Sequence, residues 1–148
     1  MLAAFPQTAL AQKARISDLS DVAFGTVTNL SSDVRAAQNL CAFTQSATSN
    51  YRVTATGGGG GGGAFTMTAG SSQLAYEVEW ASSPNQTNGI ALSTGVALSG
   101  LNSSATQQTC NAGPPTSASL FVIFRASQLG AALAGSYSGA LNLMIAPE

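Results

Sequence analysis

Leu141, Leu143 and Ile145 recur at every second position near the C-terminus, and that spacing predicts a β-strand. Tyr137 and Gly139 continue the same face toward the N-terminus. Asn142, Met144 and Ala146 make the other face. Only one of those three is polar, so that face is expected to be partly covered as well. Pro147 cannot donate to a ladder and should end the strand. An apolar strand needs its edge paired, covered or blunted. Only Glu148 follows Pro147, so the partner of this edge must come from elsewhere.

The same period-two pattern recurs upstream in short pieces. Val22 and Phe24 predict a strand over residues 21–27, with Gly25 at a bend or bulge. Residues 29–35 are polar and read as a loop. Residues 39–45 form the next strand, with Cys41 and Phe43 on one face. Tyr51, Val53 and Ala55 are in step within a strand at 50–56. Residues 64–68 give a further strand through Phe65 and Met67. Within 74–81, Leu74, Tyr76, Val78 and Trp80 share one face, and Ala75, Glu77, Glu79 and Ala81 share the other. A turn at 82–88 leads into a stretch at 89–113 rich in glycine, hydroxyl and amide residues. Its only apolar pieces are Ile90 to Leu92 and Val96 to Leu101. Residues 117–125 are apolar on both faces at their centre, as in a strand inside a sandwich core. Residues 128–134 read as a connector with one helical turn.

No segment carries sustained helical periodicity with caps. About seven short strands separated by turn residues predict an all-β sandwich of immunoglobulin type. The length suits one domain, spanning 12–148. Residues 1–11 read as the tail of a secretory signal, ending in the small-residue site Ala9-Leu10-Ala11, with Gln12 as the mature N-terminus.

Charge changes the picture. Charged residues are 7% of the chain, against about 25% in ordinary domains. Solubility must rest on hydroxyl and amide side chains. The cations Lys13, Arg15, Arg35, Arg52 and Arg125 are scattered, so no phosphate-binding surface forms and nucleic acid is not an expected partner. No run approaches the length of a membrane-spanning helix, so no membrane insertion is expected.

Candidate chemistry is sparse. Cys41 and Cys110 are the only cysteines and histidine is absent, too few ligands for a structural zinc site. A disulfide is the economical reading and places the chain outside the cytoplasm. Without histidine, neither a Ser-His-Asp nor a Cys-His arrangement can be built. Glu77 and Glu79 lie about 6 to 7 Å apart along one strand face by strand rise. Glycosidase pairs normally face each other across a cleft, so these two read as a solvated face. The seven glycines at 57–63 lack the Lys-Ser or Lys-Thr that completes a phosphate loop, and read as a flexible hairpin loop. Tyr76 and Trp80 could stack on a sugar, but their step with Leu74 and Val78 favours the core. No enzymatic activity, cofactor or metal is expected.

Several segments, in order, resemble the spore coat protein U domain family, which includes Csu-like subunits of archaic chaperone–usher pili. They are Asp21-Val-Ala-Phe-Gly-Thr, Cys41-Ala-Phe-Thr, Tyr51-Arg-Val, Leu74-Ala-Tyr-Glu-Val, Cys110 and the closing Gly135-Ser-Tyr-Ser-Gly-Ala-Leu-Asn-Leu-Met-Ile-Ala-Pro-Glu. The resemblance covers residues 21–148. It implies a pilin-type immunoglobulin-like sandwich that lacks one strand. A periplasmic chaperone lends that strand first, and a neighbouring pilus subunit delivered through an usher replaces it. Main-chain hydrogen bonds give such augmentation its affinity, and alternate side chains fill pockets. The implied donor-strand groove lies between Val22 and Phe24 on one side and Leu141, Leu143 and Ile145 on the other. The implied function is a structural or adhesive fimbrial subunit in adhesion and biofilm formation, exported through the periplasm to the cell surface, where it meets a host or abiotic surface.

One feature departs from that pattern. Polymerising subunits carry a donor segment before the first strand. Cleavage after Ala11 leaves residues 12–20, which include Lys13, Arg15 and Asp18 and make a poor apolar donor. The expectation is a subunit that accepts a strand without donating one, as at a fibre tip. The alternatives are that residues 1–16 are retained and donate, despite Pro6, or that they fold back and complete a self-standing binding module, for example for carbohydrate.

Overall fold

A computed structural model describes residues 12–59 and 62–148. The expected leader at 1–11 lies outside the described residues, as do Gly60 and Gly61. Strands are numbered in chain order. One antiparallel sheet runs β1 (Lys13–Ser17), β2 (Val34–Gln45), β9 (Ala118–Phe124), β6 (Glu77–Ala81) and β7 (Ile90–Ala91). A second runs β10 (Leu141–Pro147), β3 (Asn50–Gly57) and β8 (Ala97–Asn102). A hairpin, β4 (Thr66–Ala69) and β5 (Ser72–Ala75), and a short helix, α1 (Ala126–Ala131), complete the described elements. The two larger sheets bury one core between them. Tyr51, Val53, Ala55 and Leu101 come from one, and Leu40, Val78, Trp80, Leu120 and Val122 from the other. The chain is an all-β, sandwich-like fold.

All seven residues of β9 are buried. The inner face, Leu120, Val122 and Phe124, belongs to the core. The outer face is covered by charge rather than by a third layer. The Arg35 guanidinium lies 4.7 Å from the Phe121 ring centroid and is paired with Glu79. Beside it, Arg125 bridges Glu77 and Asp33. The stems of these long side chains shield apolar surface while their heads stay wet.

The outer face of β2 is covered differently. Cys41 and Cys110 form a disulfide, with 5.8 Å between their Cα atoms. It ties the loop after β8 across the strand, beside Phe43 and Ala105. Closing a loop of 69 residues stabilises the fold by about 4 kcal/mol on the chain-entropy account.

Several expectations are corrected. Residues 21–27 form no strand. The chain leaves β1 at Asp18, whose φ of 63° turns it out of the ladder. Val22, Phe24 and Val27 still turn toward the core, so the alternation encoded side-chain direction without a pairing partner. The first strand is instead β1, which lies against Cys41 to Gln45. The loop expected at 29–35 is shorter, because β2 already begins at Val34. The run at 74–81 is two strands, not one: it changes partner at Tyr76, from the hairpin to the large sheet. The last strand starts at Leu141, so Tyr137 and Gly139 precede it, and its second face is open, with Met144 69% exposed. The helical turn comes earlier than expected, at α1.

The described glycines of 57–63 pair across the run, with an antiparallel bridge between Gly59 and Ala64. Gly57 N–H donates to the Gly63 carbonyl and Gly59 N–H to that of Ala64. A Cβ on Gly57 would fall on the Ala64 carbonyl.

Candidate functional site

Among the described strands, β10 pairs with β3 alone, in register from Leu141↔Gly57 to Pro147↔Tyr51. Gly58 N–H donates to the Ala140 carbonyl at 2.8 Å, and Glu148 N–H donates to Asn50 at 3.0 Å. In an antiparallel ladder, alternate residues aim their backbone groups at the same neighbour. Residues 142, 144 and 146 therefore face β3. The backbone groups of Leu141, Leu143 and Ile145 face away from it, along the outer edge. Their side chains point inward and are only half-buried, while Asn142 and Met144 face solvent.

A cavity of about 660 Å³ runs along this edge. Leu141 and Leu143 line one side, Leu19, Val22 and Phe24 the other, with Tyr76 and Val122 among its lining. A second cavity, of about 910 Å³, shares Val22, Phe24 and Met67 with the first. It is lined further by Leu74, Phe124 and Leu129. Together they form one trough, with apolar side chains on both walls and polar groups among its lining beside β10. The trough brings together Val22, Phe24, Leu141 and Leu143. Ile145 lies outside its lining and packs on the core, where β1 lies against β10.

The wall opposite β10 is the segment that forms no strand. Three attachments position it. The Gln38 side chain stands in for a neighbouring strand: its Oε1 accepts from Ser20 N–H at 3.1 Å and its Nε2 donates to the Ser20 carbonyl at 3.3 Å. Phe24 packs edge-on against Phe124 with centroids 4.6 Å apart. At the far end, Asp33 accepts from Ala126 N–H and from Arg125, each at 2.8 Å. Those two bonds, the backbone one first, hold the Asp33 carboxyl below its usual range.

The other singled-out residues lie away from the trough or in the core. Trp80 is fully buried and Tyr76 is 8% exposed, so neither presents a stacking face to solvent. Tyr76 instead donates to the Ala140 carbonyl at 3.2 Å, beside the start of β10. Glu77 and Glu79 are each engaged by an arginine. The bonds from Glu77, and then Asp33, push the Arg125 pKa up further. Among the described residues, no group of three His, Cys, Asp or Glu side chains gathers as a metal site, and no helix is long and apolar enough to cross a membrane.

Sequence reasoning missed the parts of Leu19, Gln38 and Met67 in the trough. Leu19 and Gln38 sit in weakly patterned stretches, and Met67 reads as an ordinary strand residue. No protein-family model matches the chain, and no curated protein matches it.

Proposed function

We propose that this chain is a non-catalytic structural or adhesive subunit of a secreted chaperone–usher type fimbria. In this reading the sandwich is immunoglobulin-like and lacks one strand. A donor strand enters the trough beside β10, lent first by a periplasmic chaperone and then by a neighbouring subunit. One observation carries the proposal: the outward backbone groups of Leu141 and Leu143 run beside a trough whose far wall, which includes Val22 and Phe24, has no ladder of its own. The resemblance of the closing segment to the spore coat protein U family points the same way. The buried Cys41–Cys110 bridge suits an oxidising compartment.

The energetics are consistent with a need for completion. A strand filling the trough would bury about four or five large apolar side chains, each contributing roughly 1.5–3 kcal/mol. That sum is comparable with the whole stability of an ordinary domain, about 5–15 kcal/mol. The test is calorimetry on the chain with and without an alternating apolar strand fused through a flexible linker after Glu148. The fusion should raise the melting temperature by at least about 10 °C. An unfused chain that melts cooperatively at high temperature and gains nothing from the fusion overturns the proposal.

A further inference from the structure

Among the described residues, the lining of the trough holds a single charged side chain. Of the described residues lining its two cavities, only Asp21 is an acidic residue, and none is a cation. The other carboxylates of this charge-poor chain are engaged. Asp33, Glu77 and Glu79 are in ion pairs. Glu148 accepts from Gly100 N–H at 2.8 Å, and Asp18 accepts from Ser17 at 3.3 Å. No ion pair among the described residues includes Asp21. The two ends of the trough differ. Leu129 and Leu133 lie at the second cavity, while Asp21, Ser20 and Gln38 cluster at the first.

We propose that Asp21 selects the occupant of the trough: an extended segment of another chain with alternating apolar residues and a lysine or arginine where it passes Asp21. This rests on the strand-accepting reading and adds the partner's chemistry to it. Asp21 is exposed where it lines the first cavity, so a passing strand meets its carboxylate in contact with water. A facing cation gains a solvent-screened attraction to it. An acidic segment meets like charge and is rejected. Lys13 and Arg15 do not supply the cation, because neither lines the trough.

The experiment titrates the chain with three synthetic peptides of one alternating valine–serine pattern. They differ only at the end residue, which is lysine, glutamine or glutamate. At low salt the lysine peptide should bind about two- to fivefold more tightly than the glutamate peptide, the scale of a solvent-facing ion pair. The preference should shrink at high salt and vanish in Asp21→Asn, which should still bind the glutamine peptide. Equal binding of all three peptides, or a preference that survives in Asp21→Asn, overturns the Asp21 proposal and leaves the strand-accepting reading standing. Failure of every peptide to bind or to raise the melting temperature removes that reading, and this proposal with it.

Discussion

The indole Nε1 of Trp80 donates a hydrogen bond to the Tyr51 hydroxyl at 3.0 Å, and neither residue is exposed to solvent. Trp80 belongs to the large sheet and Tyr51 to the small one, so this bond joins the two layers at the centre of the core. The rings also meet edge to face, with centroids 6.4 Å apart. Tyr51→Phe keeps the ring and removes the acceptor, leaving a buried N–H without a partner. Such a group costs about 1–3 kcal/mol. Urea unfolding should show that loss with an unchanged denaturant dependence. A change below about 0.5 kcal/mol would mean the bond does not contribute.

The same burial makes the fold sensitive to alkali. Burial pushes the Tyr51 phenol up to about 12, against 10.0 for the free group, with the Trp80 bond partly opposing it. Burial also raises Tyr76. A raised folded-state pKa means that the folded chain holds its proton where the unfolded chain has lost it. The stabilisation is therefore complete below pH 10 and is lost progressively as pH rises toward 12. Thermal melts should fall through that window, and phenolate absorbance should appear together with unfolding. Full ionisation of every tyrosine near pH 10 in a folded chain would contradict the burial.

The glycine run should tolerate substitution unevenly. A Cβ on Gly57 meets the Ala64 backbone, and one on Gly59 meets the Ala64 carbonyl and the Thr66 hydroxyl. At Gly58 the nearest atom, the Ala140 nitrogen, would stay 3.3 Å away. Gly57→Ala and Gly59→Ala should each cost about 1–3 kcal/mol or more, as overpacking does. Gly58→Ala should stay within about 1 kcal/mol. Equal tolerance at all three positions, read by thermal melts, would mean that the close approaches at Gly57 and Gly59 do not constrain the chain.

How much of this was legible in the sequence depended on contrast. Tyr51, Val53 and Ala55, the series Leu74 to Trp80, and Leu141, Leu143 and Ile145 alternate clearly, and each turns its apolar set inward. The two cysteines could pair only with each other. β1 was hidden because Lys-Ala-Arg-Ile-Ser interleaves charge with small residues. The first half of β2 was hidden because Val34, Ala36 and Gln38 barely contrast with their neighbours. Residues 21–27 show the limit of the method: alternation states which way side chains point, whereas a strand also needs an adjacent backbone. The arginine cover over Phe121 was invisible because Arg35 and Glu79 are 44 residues apart. Val22, Phe24, Leu141 and Leu143 were singled out through the resemblance, and all four line one cavity. The Gln38 clasp on Ser20 was not legible, since nothing local marks an amide that serves as a strand.

The decisive comparison sets Leu143→Asp against Asn142→Asp. The two positions are adjacent on β10 but point to opposite sides. Leu143 lines the trough and Asn142 is exposed. In the chain alone, Leu143→Asp removes a half-buried apolar side chain and should cost up to about 1.5–3 kcal/mol. Its carboxylate still reaches water through the open trough, so the fold should survive. Once a donor strand is fused after Glu148, the same carboxylate is sealed between apolar walls, where a lone charge is strongly disfavoured. The gain in melting temperature from fusion should then largely disappear. Asn142→Asp keeps its carboxylate in solvent in both states, so its stability should shift by no more than about 0.5 kcal/mol and its gain from fusion should match that of the parent chain. The readout is therefore the difference of two differences, which cancels any general weakening of the fold. Equal gains in the two variants would mean that the added strand does not lie over Leu143, and the trough would lose its claim as the acceptor.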